Sequence, residues 1–225
     1  NSLFFTEFGL GGSNGLVSDN QIDDATVAAN FSWFKSSKST LKFGAQMKNL
    51  GFLYTNSFND SLQFEINTKP KEYASYVKLK YSASERLIIE PGLRINLYDV
   101  YSDSIFPDIR FGMKYLLNDN RYLNLSVGNY HQFIATFQDD YNPNILDQWI
   151  AVDKTVSPAK SSQIVLGYEE YIRDLYKFQI EGYYKDIKNL FTFEESRATT
   201  DEAISDTSLA DIVTPSDGYA YGLEL

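Results

Sequence analysis

The sequence predicts an all-β protein: about ten antiparallel strands in up-and-down order, one face of the sheet meeting a lipid bilayer. Three observations carry that expectation. Apolar and polar residues alternate along segment after segment. The links between segments are tight and long by turns. Tyrosine and tryptophan gather near segment ends. Side chains of a strand point alternately to its two faces, so a period of two marks a sheet with one greasy and one polar side. Aromatic girdles and one elaborate rim are what transmembrane barrels add to that pattern.

The clearest segment is Leu87–Tyr101. Leu87, Ile89, Pro91, Leu93, Ile95 and Leu97 form one row, against Ile88, Glu90, Gly92, Arg94 and Asn96. Its flanks behave alike: Val77, Leu79 and Tyr81 oppose Tyr76, Lys78 and Lys80, and Ile109, Phe111, Met113 and Tyr115 oppose Arg110, Gly112 and Lys114. In chain order the predicted strands are Leu3–Leu10, Thr26–Lys35, Thr40–Phe58, Tyr73–Ser82, Leu87–Tyr101, Pro107–Leu116, Tyr122–Phe137, Ser161–Tyr171, Tyr176–Phe193 and Gly218–Leu225. Several exceed the roughly 9–11 residues that cross a tilted bilayer. Asp201–Val213 is the nearest approach to a helix and reads as a loop.

The links at Ser36–Ser39, Ala83–Arg86, Leu117–Arg121 and Ile172–Leu175 are short, polar turns. Those at Gly11–Ala25, Asn59–Glu72, Gln138–Lys160 and Glu194–Asp217 are long, and only Ser102–Phe106 is brief among them. A soluble β-sandwich has Greek-key crossings and no such systematic asymmetry. A small soluble barrel would also alternate, with its apolar face inside, so alternation alone leaves that alternative open.

Composition narrows the functions. The 225 residues include 17 tyrosines and 16 phenylalanines, types that suit pleated surfaces. There is no cysteine, hence no thiolate metal site or thiol nucleophile, and His131 is the one histidine. A net charge of −10 argues against a nucleic-acid partner. No apolar run approaches the roughly 18 residues of a membrane helix. With no initiator methionine and no signal peptide, the chain is expected to be a fragment.

Candidate chemistry is sparse. His131 with Asp139 and Asp140 suggests an acid–base set, yet no second carboxylate near the histidine is visible, so a girdle histidine beside an acidic loop is the favoured reading. Gly9–Gly15 lacks the following helix that a phosphate loop needs. The acidic loop Glu194–Asp217 has no EF-hand spacing and reads as solvated. The basic row Lys42, Lys78, Lys80, Arg94, Arg110 and Lys114 suits a wet interior or contact with an internal plug. No catalytic residue, metal site or cofactor is expected.

Glu90–Tyr98 followed by Pro107–Leu116 resembles the TonB-dependent outer-membrane receptors, in particular the Bacteroidetes-type branch. Ser126–Gln132, Ser157–Gln163 leading to Gly167-Tyr168-Glu169, Glu181–Leu190 and Gly218–Leu225 extend the likeness in order and spacing. Lys160 and Asp108 depart from the family pattern. The resemblance implies a 22-stranded barrel around an N-terminal plug, of which residues 1–225 would be a partial barrel domain lacking the plug and the C-terminal strands. It implies a receptor, not an enzyme, that imports a scarce nutrient (siderophore, vitamin, sugar or peptide) using energy delivered through TonB. Outer-membrane lipid and a surface lipoprotein are further implied partners. Ligand contact is expected from loop and loop-end residues Tyr98, Tyr101, Tyr141, Asn142 and Trp149, because aromatics offer flat contact area at low entropy cost. Two alternatives stand: a closed ten-stranded outer-membrane hydrolase, in which first and last strands pair, and a soluble β-sandwich binding module.

Overall fold

Alternation along the chain becomes one long antiparallel ladder. The computed structural model describes residues 2–10, 15–59, 61–101, 104–137, 148–173, 175–193 and 213–225. Among the described residues there are thirteen strands: β1 (Ser2–Leu10), β2 (Leu16–Ser36), β3 (Ser39–Phe58), β4 (Ser61–Thr68), β5 (Lys71–Ser82), β6 (Leu87–Tyr98), β7 (Ile105–Asn118), β8 (Arg121–Gln132), β9 (Ile134–Phe137), β10 (Gln148–Ala151), β11 (Ala159–Ile172), β12 (Tyr176–Phe193) and β13 (Val213–Glu224). The sheet runs β1-β2-β3-β5-β6-β7-β8-β11-β12-β13, with β4 paired to β3 beside that path and β9–β10 forming a separate two-stranded sheet. Each predicted strand therefore has its counterpart on the ten-stranded path. β1 and β13 are the two ends of the path and do not pair with each other, which removes the closed ten-stranded reading. Among the described residues the two-stranded β9–β10 sheet is too small to be the second layer of a sandwich.

Register fixes the faces. Pro91, Phe111, Val127, Ile164, Tyr184 and Tyr221 are successive cross-strand partners, forming one row across six strands. Phe111, Val127, Ile164, Tyr184 and Tyr221 are exposed, as are Phe31, Phe43, Val77, Leu93 and Ile109 in the adjoining strands. An apolar face this wide, left uncovered, far exceeds the patches of ordinary soluble domains. The opposite face carries ion pairs: Lys78–Glu90, Lys48–Glu72 (3.4 Å), Arg94–Glu72 (3.4 Å), Lys114–Glu169 (3.5 Å) and Lys177–Glu169 (3.7 Å). On this face Gly44 is held to glycine by crowding: a Cβ there would sit 2.6 Å from the Ala29 carbonyl and 2.8 Å from Asn30 and Tyr76, whose side chains bond each other.

The four tight turns all lie at one rim. Ser36 pairs with Ser39 and Asn118 with Arg121, while Arg173 adopts a left-handed φ of 56° in the β11–β12 turn. Near this rim Tyr168 donates to Glu170 (2.6 Å), which also accepts from Arg121 (3.0 Å), giving an aromatic and charged belt on the apolar side.

The elaborate rim departs from expectation in a consistent way. β2 starts at Leu16, inside the link expected at Gly11–Ala25, and pairs on both sides, with β1 and β3. Of residues Ser18–Asp24 only Ile22 is apolar, so they carry no alternation to read. Strands extended into water keep their ladder bonds without needing an apolar face. At 21 residues β2 spans about 70 Å, far beyond the ~25 Å apolar band of such barrels. For the same reason β13 starts at Val213 instead of Gly218, and the Asn59–Glu72 link contains β4. The segment expected as Leu87–Tyr101 ends at Tyr98, where the Tyr101 amide turns back onto the Tyr98 carbonyl (2.9 Å). The one expected over Tyr122–Phe137 breaks at Phe133 into β8 and β9.

β9 and β10 form a hairpin that folds back over the polar face. β10 lies against β2 and β3, and β9 against β12. Those walls are separated in the sheet by β5, β6, β7, β8 and β11, so the hairpin spans the curved sheet like a chord. Two small cores hold it: Tyr98, Phe133, Val152, Val156 and Val213 on one side, and Leu50, Phe52 and Ala151 on the other.

Candidate functional site

Three stretches distant in sequence converge at the elaborate rim. Thr68 ends β4 and Lys69 and Pro70 link it to β5, Asp99 and Val100 follow β6, and Val152 and Asp153 follow β10. Together they line a pocket of about 330 Å³. Its walls are tied by backbone bonds. The Lys71 amide donates to Asp99 Oδ1 (2.8 Å), and the Asp99 amide returns the bond to the Lys71 carbonyl (3.0 Å). The Leu50 amide donates to the Pro70 carbonyl (3.0 Å), and that of Val152 to the Phe133 carbonyl (2.9 Å). No ion pair among the described residues engages Lys69 or Asp99. Thr68 contributes a hydroxyl that is buried and without a hydrogen bond among the described residues.

Tyr98 and Tyr101 stand behind this pocket. Tyr98 is 1% exposed and stacks on Phe133 with centroids 4.7 Å apart. The Tyr101 hydroxyl donates to the carbonyls of Val156 and Asp153, 2.7 Å to the latter. Burial, and after it the Asp153 carboxylate, push the Tyr101 phenol up to about 12. Both tyrosines therefore hold the segment after β10 against the wall, and Asp99 and Val100 between them face the pocket. Of the other expected contact residues, Trp149 lies in β10 with its backbone opposite Thr136. Tyr141 and Asn142 lie outside the described residues, as do Asp139, Asp140 and residues 194–212 of the acidic loop.

Below the rim a polar network lines the wall. Asp108, 2% exposed, accepts from Asn96 (3.1 Å), pairs with Arg110 (3.6 Å) and lies 2.8 Å from Nδ1 of His131. Arg94 joins it from β6, donating to Asn96 (2.6 Å), Gln46 (3.2 Å) and Glu72 (3.4 Å). The carboxylate partner of His131, not visible in the sequence, is thus Asp108. It becomes reachable because the β7–β8 ladder ends at Arg110–Gly128, and Asn129 then bridges the opening strands by binding the Ile109 amide (2.9 Å) and Pro107 carbonyl (2.8 Å). The His131 ring also packs against Phe106, centroids 5.4 Å apart. A carboxylate so buried and so fully bonded orients the wall; it is poorly placed to activate water. Among the described residues no three His, Asp or Glu side chains gather as metal ligands.

A curved antiparallel sheet with its apolar face outside, ion pairs inside and a plain rim opposite an elaborate one is a segment of β-barrel wall. The sequence matches the TonB dependent receptor-like, β-barrel family over residues 1–225, and the chain belongs to that family. Among solved structures it is similar to FpvAI in its complex with pyocin S2 (TM-score 0.62, 11% identity, 97% of this chain and 34% of that one). It is similar also to a mutant ferric enterobactin receptor PfeA from Pseudomonas aeruginosa with enterobactin (0.62, 12%, 92% and 33%). The siderophore receptor PirA from Acinetobacter baumannii is a third (0.58, 11%, 93% and 34%). At these identities the likeness is one of fold, and the chain spans about a third of each solved relative. No curated protein matches the sequence.

Proposed function

We propose that this chain is wall and rim of an outer-membrane receptor that captures a small, scarce nutrient and imports it with energy delivered through TonB. The observation that carries the reading is the sidedness of the sheet: exposed Phe111, Val127, Ile164 and Leu166 on one face, and the Glu72–Arg94–Asp108–His131 network on the other. The first face suits the hydrocarbon layer and the second a hydrated interior. Family membership adds the transport reading, and the receptors of siderophores among the fold relatives agree with a small-molecule ligand. The plug that couples such receptors to TonB would come from polypeptide outside residues 1–225. Capture would use the elaborate rim, where the pocket between Lys69, Asp99 and Asp153 opens.

A strain deleted for the parent gene tests this directly. Growth on limiting nutrients should fail for one nutrient class, be restored by the gene, and fail equally when TonB is removed. Normal growth on every limiting nutrient, or rescue without TonB, would contradict the proposal.

A further inference from the structure

Resting on that import reading, we propose that the rim pocket takes the ammonium end of a zwitterionic solute of the amino-acid or short-peptide class. The pocket carries both signs of charge in one space of about 330 Å³: Lys69 against Asp99. That volume lies at the lower end of small-molecule sites, large enough for one residue-sized unit and small for a whole metal–chelate complex. One ammonium and one carboxylate, neither held in an ion pair among the described residues, match a ligand that itself carries both signs of charge.

Asp99 is the pre-organised acceptor. Its Oδ1 is fixed by the Lys71 amide at 2.8 Å, and its backbone is fixed by the return bond, so Oδ2 is left for a ligand donor. Lys69, which pairs with no carboxylate among the described residues, supplies the complementary contact to the ligand's own carboxylate or carbonyl. Pro70, Val100 and Val152 give the apolar lining against which an aliphatic stem packs. The Thr68 hydroxyl, buried without a partner among the described residues, adds a polar group to the same wall. Val152 and the two backbone clamps hold these groups in place before a ligand arrives, which lowers the entropy lost on binding.

Calorimetric titration of the full-length receptor in detergent, with triglycine and triglutamate as probes, tests the assignment. Triglycine should bind, and triglutamate should bind at least about tenfold more weakly, because its three added carboxylates are repelled by Asp99 and the single Lys69 ammonium is already engaged by the peptide terminus. Asp99→Asn keeps the acceptor for the Lys71 amide and removes the charge. It should therefore fold normally and weaken triglycine by about tenfold or more, the loss of one charge-assisted hydrogen bond. A heat-modifiable band on gels at the wild-type temperature confirms that fold. Equal binding of both peptides, a smaller loss in the variant, or no binding up to about 1 mM would overturn the assignment. A receptor that supports TonB-dependent uptake of an anionic chelate would sink this inference and leave the import reading intact.

Discussion

Phe133→Ala should release the β9–β10 hairpin while leaving the wall of the sheet in place. Phe133 is 4% exposed, stacks on Tyr98 at 4.7 Å and meets Phe106 edge-on at 5.1 Å. Truncating a buried phenylalanine costs about 3–5 kcal/mol. The main ladder has its own bonds, so this cost falls on the hairpin, whose separate two-stranded sheet pairs only Ile134–Phe137 with Gln148–Ala151. A loss of that size raises the open population by about a hundred- to several thousand-fold. The Val152 amide, bonded to the Phe133 carbonyl at 2.9 Å, is the natural reporter. Hydrogen exchange of the full-length receptor in detergent should show protection lost across residues 148–158 and kept across β8 and β11, which pair over twelve residue pairs from Ala159–Gln132 to Glu170–Arg121. Unchanged exchange at Val152 would refute the claim that these aromatic contacts hold the hairpin.

Other consequences follow from single contacts. Asp108→Leu removes the acceptor shared by His131 and Asn96 and leaves both donors buried, so the heat-modification midpoint should fall by the equivalent of about 3–5 kcal/mol; a midpoint within error of wild type contradicts the network. Gly44→Ala forces a Cβ to 2.6 Å from the Ala29 carbonyl and should cost about 1–3 kcal/mol by the same assay, where a neutral result would mean the β2–β3–β5 wall is looser than described. Tyr101 titrates near 12, above the ordinary value of 10, so its anchoring is complete below pH 10 and is lost as the pH rises through 12. The tyrosinate absorbance difference between wild type and Tyr101→Phe should accordingly have its midpoint near 12; one near 10 would show that the hydroxyl is not buried between Asp153 and Val156.

What the sequence made legible, and what it hid, divides at the edge of the apolar band. From Leu87 to Val127 one face of each strand is greasy, so the period of two was readable and strands, faces and tight turns were all located. Above the band apolar and polar residues no longer alternate, and Leu16–Asp24 reads as a loop because its hydrogen bonds leave no trace in composition. The hairpin was hidden for another reason: its strands have four residues each, too few for periodicity, and among the described residues they pair with each other alone. Tyr98 and Tyr101 lie at the elaborate rim, where aromatics collect, but sequence does not distinguish an aromatic exposed at a rim from one packed beneath it. The pocket itself was invisible. Lys69, Asp99 and Asp153 meet only because β3–β5–β6 pairing and the folded-back hairpin bring three separate links together. His131 found Asp108 through the parting of β7 from β8, a feature of register and not of spacing.

The central claim is that the greasy face of this sheet meets lipid and the charged face meets water. No cysteine occurs in the 225 residues, so single spin labels can be introduced here without competition from this segment. Labels replacing Phe111, Val127 and Ile164 on one face, and Ser126, Gln163 and Lys185 on the other, would be compared in the receptor reconstituted in bilayers. The first set should relax with oxygen dissolved in the bilayer and the second with a water-soluble nickel chelate. Reversed accessibilities, or the same accessibility at Val127 and Ser126, would contradict that claim.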